Sequence, residues 1–327
     1  MLRSKSIALF TVLLMFSNMG CAQIRDSIDY KEEMRNFVEE ISEYGRNQNP
    51  DFIVIPQNGV QLVSDNGKWN GKPDRDYLEA IDGLGQESLY YGSYGDDIDT
   101  PLELTDYLQF YLDIGKEAGK AILVTDYTSV PNKMDSSYEM NEQKEYISFA
   151  ADDRELTTIP DYPEQIKDEN PDPVTTLTEA ENFLYLLNPE EFGSKQDFLD
   201  SIAETNYGVI IIDAFYMGTI LTNEDLTIIR SKADGAQRLI ISYMSIGEAE
   251  DYRYYWQENW EPGNPDWIVA ENPNWEGNYK VKYWEQGWKS YIYGNQESYL
   301  QKIIDAGFDG VYLDIIDAFY YFEQLEN

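Results

Sequence analysis

The chain has 327 residues, with 61 acidic side chains against 24 basic ones and a formal charge of −37. That charge disfavours nucleic acid as a partner, because phosphate is repelled, and it attracts cationic ligands. With no histidine and a single cysteine, Ser-His-Asp and Cys-His catalysis and an intrachain disulfide are excluded, and acid–base chemistry falls to Asp, Glu, Tyr or Lys.

Residues 1–21 read as an export signal. Arg3 and Lys5 are its basic start, and residues 7–16 are an apolar run too short to span a bilayer. Asn18-Met19-Gly20-Cys21 resembles a bacterial lipoprotein box, with Asn18 where an aliphatic residue is usual. Gly20-Cys21-Ala22 also suits ordinary cleavage after Ala22. Lipidation of Cys21 is favoured, because a lone cysteine there has no other evident role. Both readings export the protein, to the cell envelope by a lipid anchor or as a secreted chain. Residues 22–30 are read as an acidic tether, and residues 31–327 as one domain.

Met34, Phe37, Val38, Ile41 and Tyr44 recur at helical spacing and predict a helix ending near Gly45. The apolar run 52–55 predicts a strand that ends at Gln57-Asn58. A weaker strand is predicted over 80–84, followed by Gln86-Glu87. Tyr107, Leu108, Tyr111, Ile114 and Ala118 mark a helix, and 121–124 a strand ending at Asp126. A strand over 146–150 follows, then a loop over 161–178 carrying Pro163, Pro171 and Pro173. The alternation resumes with a strand over 183–187, a helix around Phe198 and Ile202, and a strand over 209–212 ending at Asp213. A helix near Leu226 and Ile229 leads to the strand 239–244. A Trp- and Asn-rich region follows, with a short strand read at 267–269. A helix through Tyr299 and Ile304 ends at Gly307, and the strand 310–313 ends at Asp314.

Eight or nine short apolar strands alternating with amphipathic helices imply a parallel sheet covered by helices. At this length, and without a glycine-rich phosphate loop, a single (β/α)8 barrel of the TIM type is the expected fold, α/β in class. In such a barrel the site lies at the C-terminal ends of the strands. Gln57, Asn58, Asp126, Asp213, Glu248, Glu250, Asp314 and Asp317 would then converge in one acidic cup. Aromatic content is 14%, with 27 tyrosines, and Tyr252, Trp256 and Trp284 lie near the acids in sequence. Rings of this kind stack on the apolar faces of sugars. Carboxylates without histidine suit either the acid and nucleophile or base of a glycosidase, or an all-oxygen cation site.

The longest motifs carry a resemblance. They are YMSIGEAEDYRYYW (243–256), NPNWEGNYKVKYW (272–284), GFDGVYLDIIDAF (307–319), FIVIPQNG (52–59) and AIDGLGQESLYY (80–91). Together they resemble the extracellular barrel proteins sometimes mislabelled as cysteinyl-tRNA-synthetase-related. That group is similar to glycoside hydrolase family 114, the endo-α-1,4-polygalactosaminidases. The resemblance implies a glycosidase acting on a cationic amino-sugar polysaccharide, with no cofactor and no metal. It places the catalytic carboxylates at Asp213, after the strand IIID, and at Glu250, which closes the segment 245–250. Glu248, Asp314 and Asp317 remain candidates for binding an amino-sugar cation or tuning a pKa, and Gln57, Asn58, Asp126, Tyr252, Trp256 and Trp284 for substrate contact. In relatives the GFDGVYLD segment precedes IPQNG, whereas here it follows. This chain is therefore read as circularly permuted, with the original ends joined through the loop 161–178 and the first helix close to residues 314–322. The alternatives are a non-catalytic glycan-binding lipoprotein on the same barrel and, further off, a metal-dependent hydrolase.

Overall fold

A computed structural model of the protein describes residues 28–326. The signal, the lipoprotein box, Cys21 and most of the tether lie outside the described residues. Eight strands carry the fold: β1 (Ile53–Pro56), β2 (Gly83–Glu87), β3 (Ala121–Tyr127), β4 (Ile147–Ala151), β5 (Phe183–Leu186), β6 (Val209–Asp213), β7 (Leu239–Ser245) and β8 (Gly310–Asp314). They form a five-stranded sheet in the order β1-β8-β7-β6-β5 and a three-stranded sheet in the order β2-β3-β4, and every pairing is parallel. The apolar runs follow from this arrangement. Strand β7 is buried at all seven positions, as expected of a parallel strand covered on both faces.

The sheets curl round a shared interior. Tyr185 on β5 donates a 2.9 Å hydrogen bond to Gln57 Oε1, just past β1, although β1 and β5 are opposite edges of one sheet. The Tyr185 and Tyr312 rings meet at 5.2 Å. One bridge, Gln57 to Gly85, joins β1 to β2, and the Phe149 and Phe183 rings pack at 5.7 Å where β4 meets β5. Among the described residues no ladder links β4 to β5. The mixed α/β, mainly parallel architecture is therefore as expected, and continuous closure into an eight-stranded barrel is not what the hydrogen bonding itself displays.

Three local expectations shift. The first helix runs from Tyr30 to Gln48, through Gly45, with Asp29 accepting from the Glu32 amide at 3.1 Å. Gly45 is there for closeness: a Cβ would lie 2.4 Å from the Phe52 ring. The weak strand at 80–84 begins at Gly83, because Arg75–Ala80 is a helix whose first turn is capped by the Asp74 side chain. A helix that hydrophobic spacing does not announce, Pro131–Lys144, starts on a proline at its first turn and buries Met134, Ser137, Tyr138 and Asn141.

The first helix does pack beside the last one, Phe319–Leu325. The Tyr30 and Phe322 rings are 5.5 Å apart, Tyr30 donates to Glu326 at 2.8 Å, and Lys31 pairs with Glu323. Since β1 and β8 are hydrogen-bonded neighbours, any chain whose first and last strands pair would show this adjacency, so it does not bear on permutation. After β7 the chain forms a small antiparallel sheet, Glu248–Glu250 with Asn278–Val281 and Ile268–Glu271. This sheet carries Glu248 and Glu250.

Gly85 tests the interior packing. A Cβ there would meet the Tyr312 hydroxyl at 2.2 Å, and that ring is fully buried. Gly85→Ala is expected to lower unfolding free energy by about 1–3 kcal/mol through overpacking, read as a drop in the urea midpoint. An unchanged midpoint would show that the interior yields at this point.

Candidate functional site

The C-terminal ends of the parallel strands open on one cavity of about 600 Å³. Gln57 and Asn58 follow β1, Glu87 ends β2, Asp213 ends β6 and Asp314 ends β8, and all of them line it. Glu250, Tyr252 and Arg253 reach it from the segment after β7, and Asp317 from the turn after β8. Loops at this face can converge because the strands run in one direction.

One guanidinium organises one side of the cavity. Arg253 is 8% exposed. Its Nη1 lies 2.7 and 2.9 Å from the two Asp213 oxygens, and its Nε donates to Glu250 Oε2 at 2.6 Å. Tyr252 donates to the other Glu250 oxygen at 2.6 Å, and the Phe215 amide donates to Asp213 at 2.8 Å. The rings of Tyr252, Tyr299 and Phe215 lie 5.2, 5.3 and 5.8 Å from the guanidinium carbon, within cation–π range. Burial pushes the Asp213 carboxyl above its usual range and the Glu250 charge adds to this, while Arg253 opposes both. Burial works against the Arg253 charge, but Asp213 and Glu250 outweigh it and hold the guanidinium well above the ordinary arginine range.

A second acidic group, Glu87, Asp314 and Asp317, lines the same cavity. Asn58, in a left-handed backbone conformation at φ 64, donates to Glu87 at 2.8 Å and accepts from the Glu87 amide at 3.2 Å. Tyr127 donates to the other Glu87 oxygen. Asp314 accepts from the Tyr243 hydroxyl and from the Ile315 amide, both at 2.7 Å. Burial, then the Glu87 charge, push Asp314 up to about 8, against those two hydrogen bonds. The same two causes push Asp317 up to about 6, with Lys280 opposing. At the rim, Tyr252 and Trp275 are 58% and 48% exposed and offer ring faces to whatever enters. Among the described residues, no group of three or more His, Cys, Asp or Glu side chains is placed to hold a metal ion.

The structure thus brings Gln57, Asn58, Asp213, Glu250, Tyr252, Asp314 and Asp317 together. Four other expected contacts lie outside the lining. Asp126 is fully buried, with its oxygens taken by the Tyr90 and Tyr91 amides at 2.8 and 3.1 Å and by Ser137 at 2.6 Å, so it anchors the loop after β2. Glu248 is buried in the small sheet itself, held by its cross-strand partner Lys280 at 3.0 Å and by Asn272 at 2.9 Å. Trp256 stacks on Tyr279 at 4.7 Å, and Trp284 sits between Tyr30 and Phe322 at 5.0 and 4.7 Å. In turn, Glu87, Arg253, Tyr243, Tyr185 and Trp275 line the cavity without having been singled out from sequence. Glu87 ends its strand as Asp213 and Asp314 end theirs, so the same signal marks it. Tyr185 and Tyr243 read as core, and only the curl of the sheets turns them toward the site.

The molecule is therefore a parallel α/β protein with a carboxylate-rich strand-end cavity and rim aromatics. Residues 171–327, just under half of the chain, match the sequence model of glycoside-hydrolase family GH114. The matched part contains β5 to β8, Asp213, Glu250, Arg253, Asp314 and Asp317, and it is narrower than the resemblance read across the motifs. An uncharacterised protein of Methanocaldococcus jannaschii is 45% identical over 129 residues, 38% of this chain and 35% of that protein. An uncharacterised protein of Thermotoga maritima is 50% identical over 84 residues, 26% of this chain and 25% of that one. One of Deinococcus radiodurans is 37% identical over 128 residues, 39% of each. The matched stretches thus span well under half of these relatives' lengths.

Two predictions follow from the charges. Arg253→Met leaves Asp213 and Glu250 facing each other without a cation. Unfolding free energy near pH 7 should fall by about 3–5 kcal/mol, and the deficit should shrink as acid protonates the pair. Denaturant titrations across pH check this, and a deficit that grew in acid would contradict it. Asp314 binds its proton more tightly folded than unfolded, so its contribution is present below pH 3.8 and is lost as pH rises through about 8. Relative to wild type, Asp314→Asn should therefore gain stability progressively from pH 4 to pH 8 and then level off. A pH-independent difference in chemical unfolding would remove the assigned shift.

Proposed function

We propose that the protein is an exported glycoside hydrolase that cleaves an α-linked, amine-bearing polysaccharide of the polygalactosamine kind. The observation that carries this reading is the Asp213–Arg253–Glu250 arrangement at the wall of an acidic, aromatic-rimmed cavity. Glycosidase chemistry requires one carboxyl to protonate the leaving oxygen and another to attack the sugar carbon or to activate water. Burial favours a proton on Asp213, with the Arg253 charge opposing it. The guanidinium fixes both carboxylates in orientation, so little reorganisation remains when substrate arrives. Tyr252 holds Glu250 from the open side, where its exposed ring can also meet a sugar face.

The substrate class is supported by charge. Glu87 and Asp317, joined by Asp314 as pH rises through about 8, line the cavity as a group that attracts ammonium, and the chain as a whole carries −37. The curl of the two sheets supports a complete (β/α)8 ring behind the site. The signal-like residues 1–21 support export, with Cys21 as the proposed lipid attachment. No helix of the described residues is long and apolar enough to cross a membrane.

Incubation with partially deacetylated polygalactosamine is the test. Wild type should release oligosaccharides. Asp213→Asn and Glu250→Gln should each lower kcat by about 10³-fold or more while still retaining the polymer in a pull-down. Binding by wild type with no release of oligosaccharides from any amino-sugar polymer would sink hydrolysis and leave a glycan-binding module.

A further inference from the structure

The cavity does not end at Asp213. Asp213, Tyr252 and Arg253, together with Leu187, Asn188 and Glu190, also wall a second cleft of about 360 Å³. The two spaces meet along this wall, yet their far sides differ in chemistry. On the cavity side stand Glu87, Glu250, Asp314 and Asp317. On the cleft side the residues that are not shared are Pro189, Phe215, Met217, Gly218 and Tyr254, none of them charged. A chain threaded past Asp213 would pass from a space with several further carboxylates into a cleft whose lining carboxylates are only the shared Glu190 and Asp213, the latter already paired with Arg253.

The cleft is built rather than accidental. The Phe215 and Tyr254 rings stack at 5.5 Å with 22° between their planes. Tyr254 is fixed by its hydroxyl, which donates to the Glu297 carbonyl at 2.8 Å, and by Lys302, whose ammonium lies 4.9 Å from its ring centre. Phe215 also opens a hairpin, Phe215–Tyr216 with Thr219–Ile220, whose two turn residues are Met217 and Gly218. Both have positive φ, 47° and 78°, the requirement of a two-residue turn of this hand. Methionine is an unusual choice there, since glycine or asparagine meets that backbone at lower cost. Its side chain is 63% exposed and lines the cleft.

We propose that this second cleft binds an uncharged, N-acylated sugar unit adjoining the amine-bearing unit held in the acidic cavity, so that the bond cleaved lies between unlike units. The inference rests on the hydrolase reading above. An acyl group is apolar at its methyl and uncharged at its amide, which suits a thioether and a ring face. A free ammonium there would lose hydration without gaining an anion beyond those it shares with the cavity.

The experiment uses the full chain on partially N-acetylated polygalactosamine, with mass-spectrometric sequencing of the new ends. One class of new end should carry predominantly free amines and the other predominantly N-acetylated units. Met217→Glu puts a carboxylate in the cleft at an exposed turn, and it should lower the rate ratio of partially acetylated to fully deacetylated polymer about tenfold. Met217→Asn suits the turn backbone and controls for folding, and it should lower that ratio without creating a preference for free amines on the cleft side. Cleavage by wild type with the same composition at both new ends overturns this inference and leaves the hydrolase reading standing. Absence of cleavage by wild type removes both.

Discussion

The guanidinium of Arg253 is the constraint on which the site depends. Two carboxylates at the wall of the cavity repel each other, and burial raises the Asp213 carboxyl further. Arg253 lies between them with Nη1 on Asp213 and Nε on Glu250. Its planar fork fixes direction as well as charge, which a lysine could not do. The arginine is itself held by three rings and by its position one turn after Glu250. The strand end at Asp213 and the small antiparallel sheet at Glu250 are therefore locked to each other through one side chain.

Across the cavity the balance is different. Glu87, Asp314 and Asp317 have no arginine between them. Glu87 and Asp314 are held by neutral donors, Asn58, Tyr127, Tyr243 and the Ile315 amide. Burial, then the Glu87 charge, outweigh those donors at Asp314 and Lys280 at Asp317, so both hold their protons to higher pH. The protein thus keeps one carboxylate pair neutralised internally and one group open to an incoming cation. In the proposed reading, that asymmetry and the cleft beyond Asp213 would give the surface a direction along which a heterogeneous chain is bound.

Much of this was legible in the residues. The alternation of apolar runs and amphipathic segments marks nearly every parallel strand, because a strand buried on both faces must be apolar throughout. The rule that strand ends carry the site selects Gln57, Asp213 and Asp314, which line the cavity, and would also select Glu87. It brings in Asp126, because the rule cannot see that side chains at a strand end alternate between the cavity and the helices outside. Trp256 and Trp284 were drawn in by proximity in sequence, but large rings also close the gaps between elements, and both do so here.

The sequence by itself determined the class of fold, the absence of histidine chemistry and the acidity, since these depend on composition and on local pattern, whereas the pairing of Asp213 with Glu250 was implied only by the family resemblance. Tertiary structure alone decided which acids face one another and what neutralises them. Arg253 and Glu250 are three residues apart in the chain, but Asp213 is 40 positions from Arg253, and Glu87 reaches Asp314 only because the sheets curl. Coulomb energy falls with distance and rises with burial. Neither quantity exists in a sequence, so the charge state of each carboxyl is fixed only when the strands close around it.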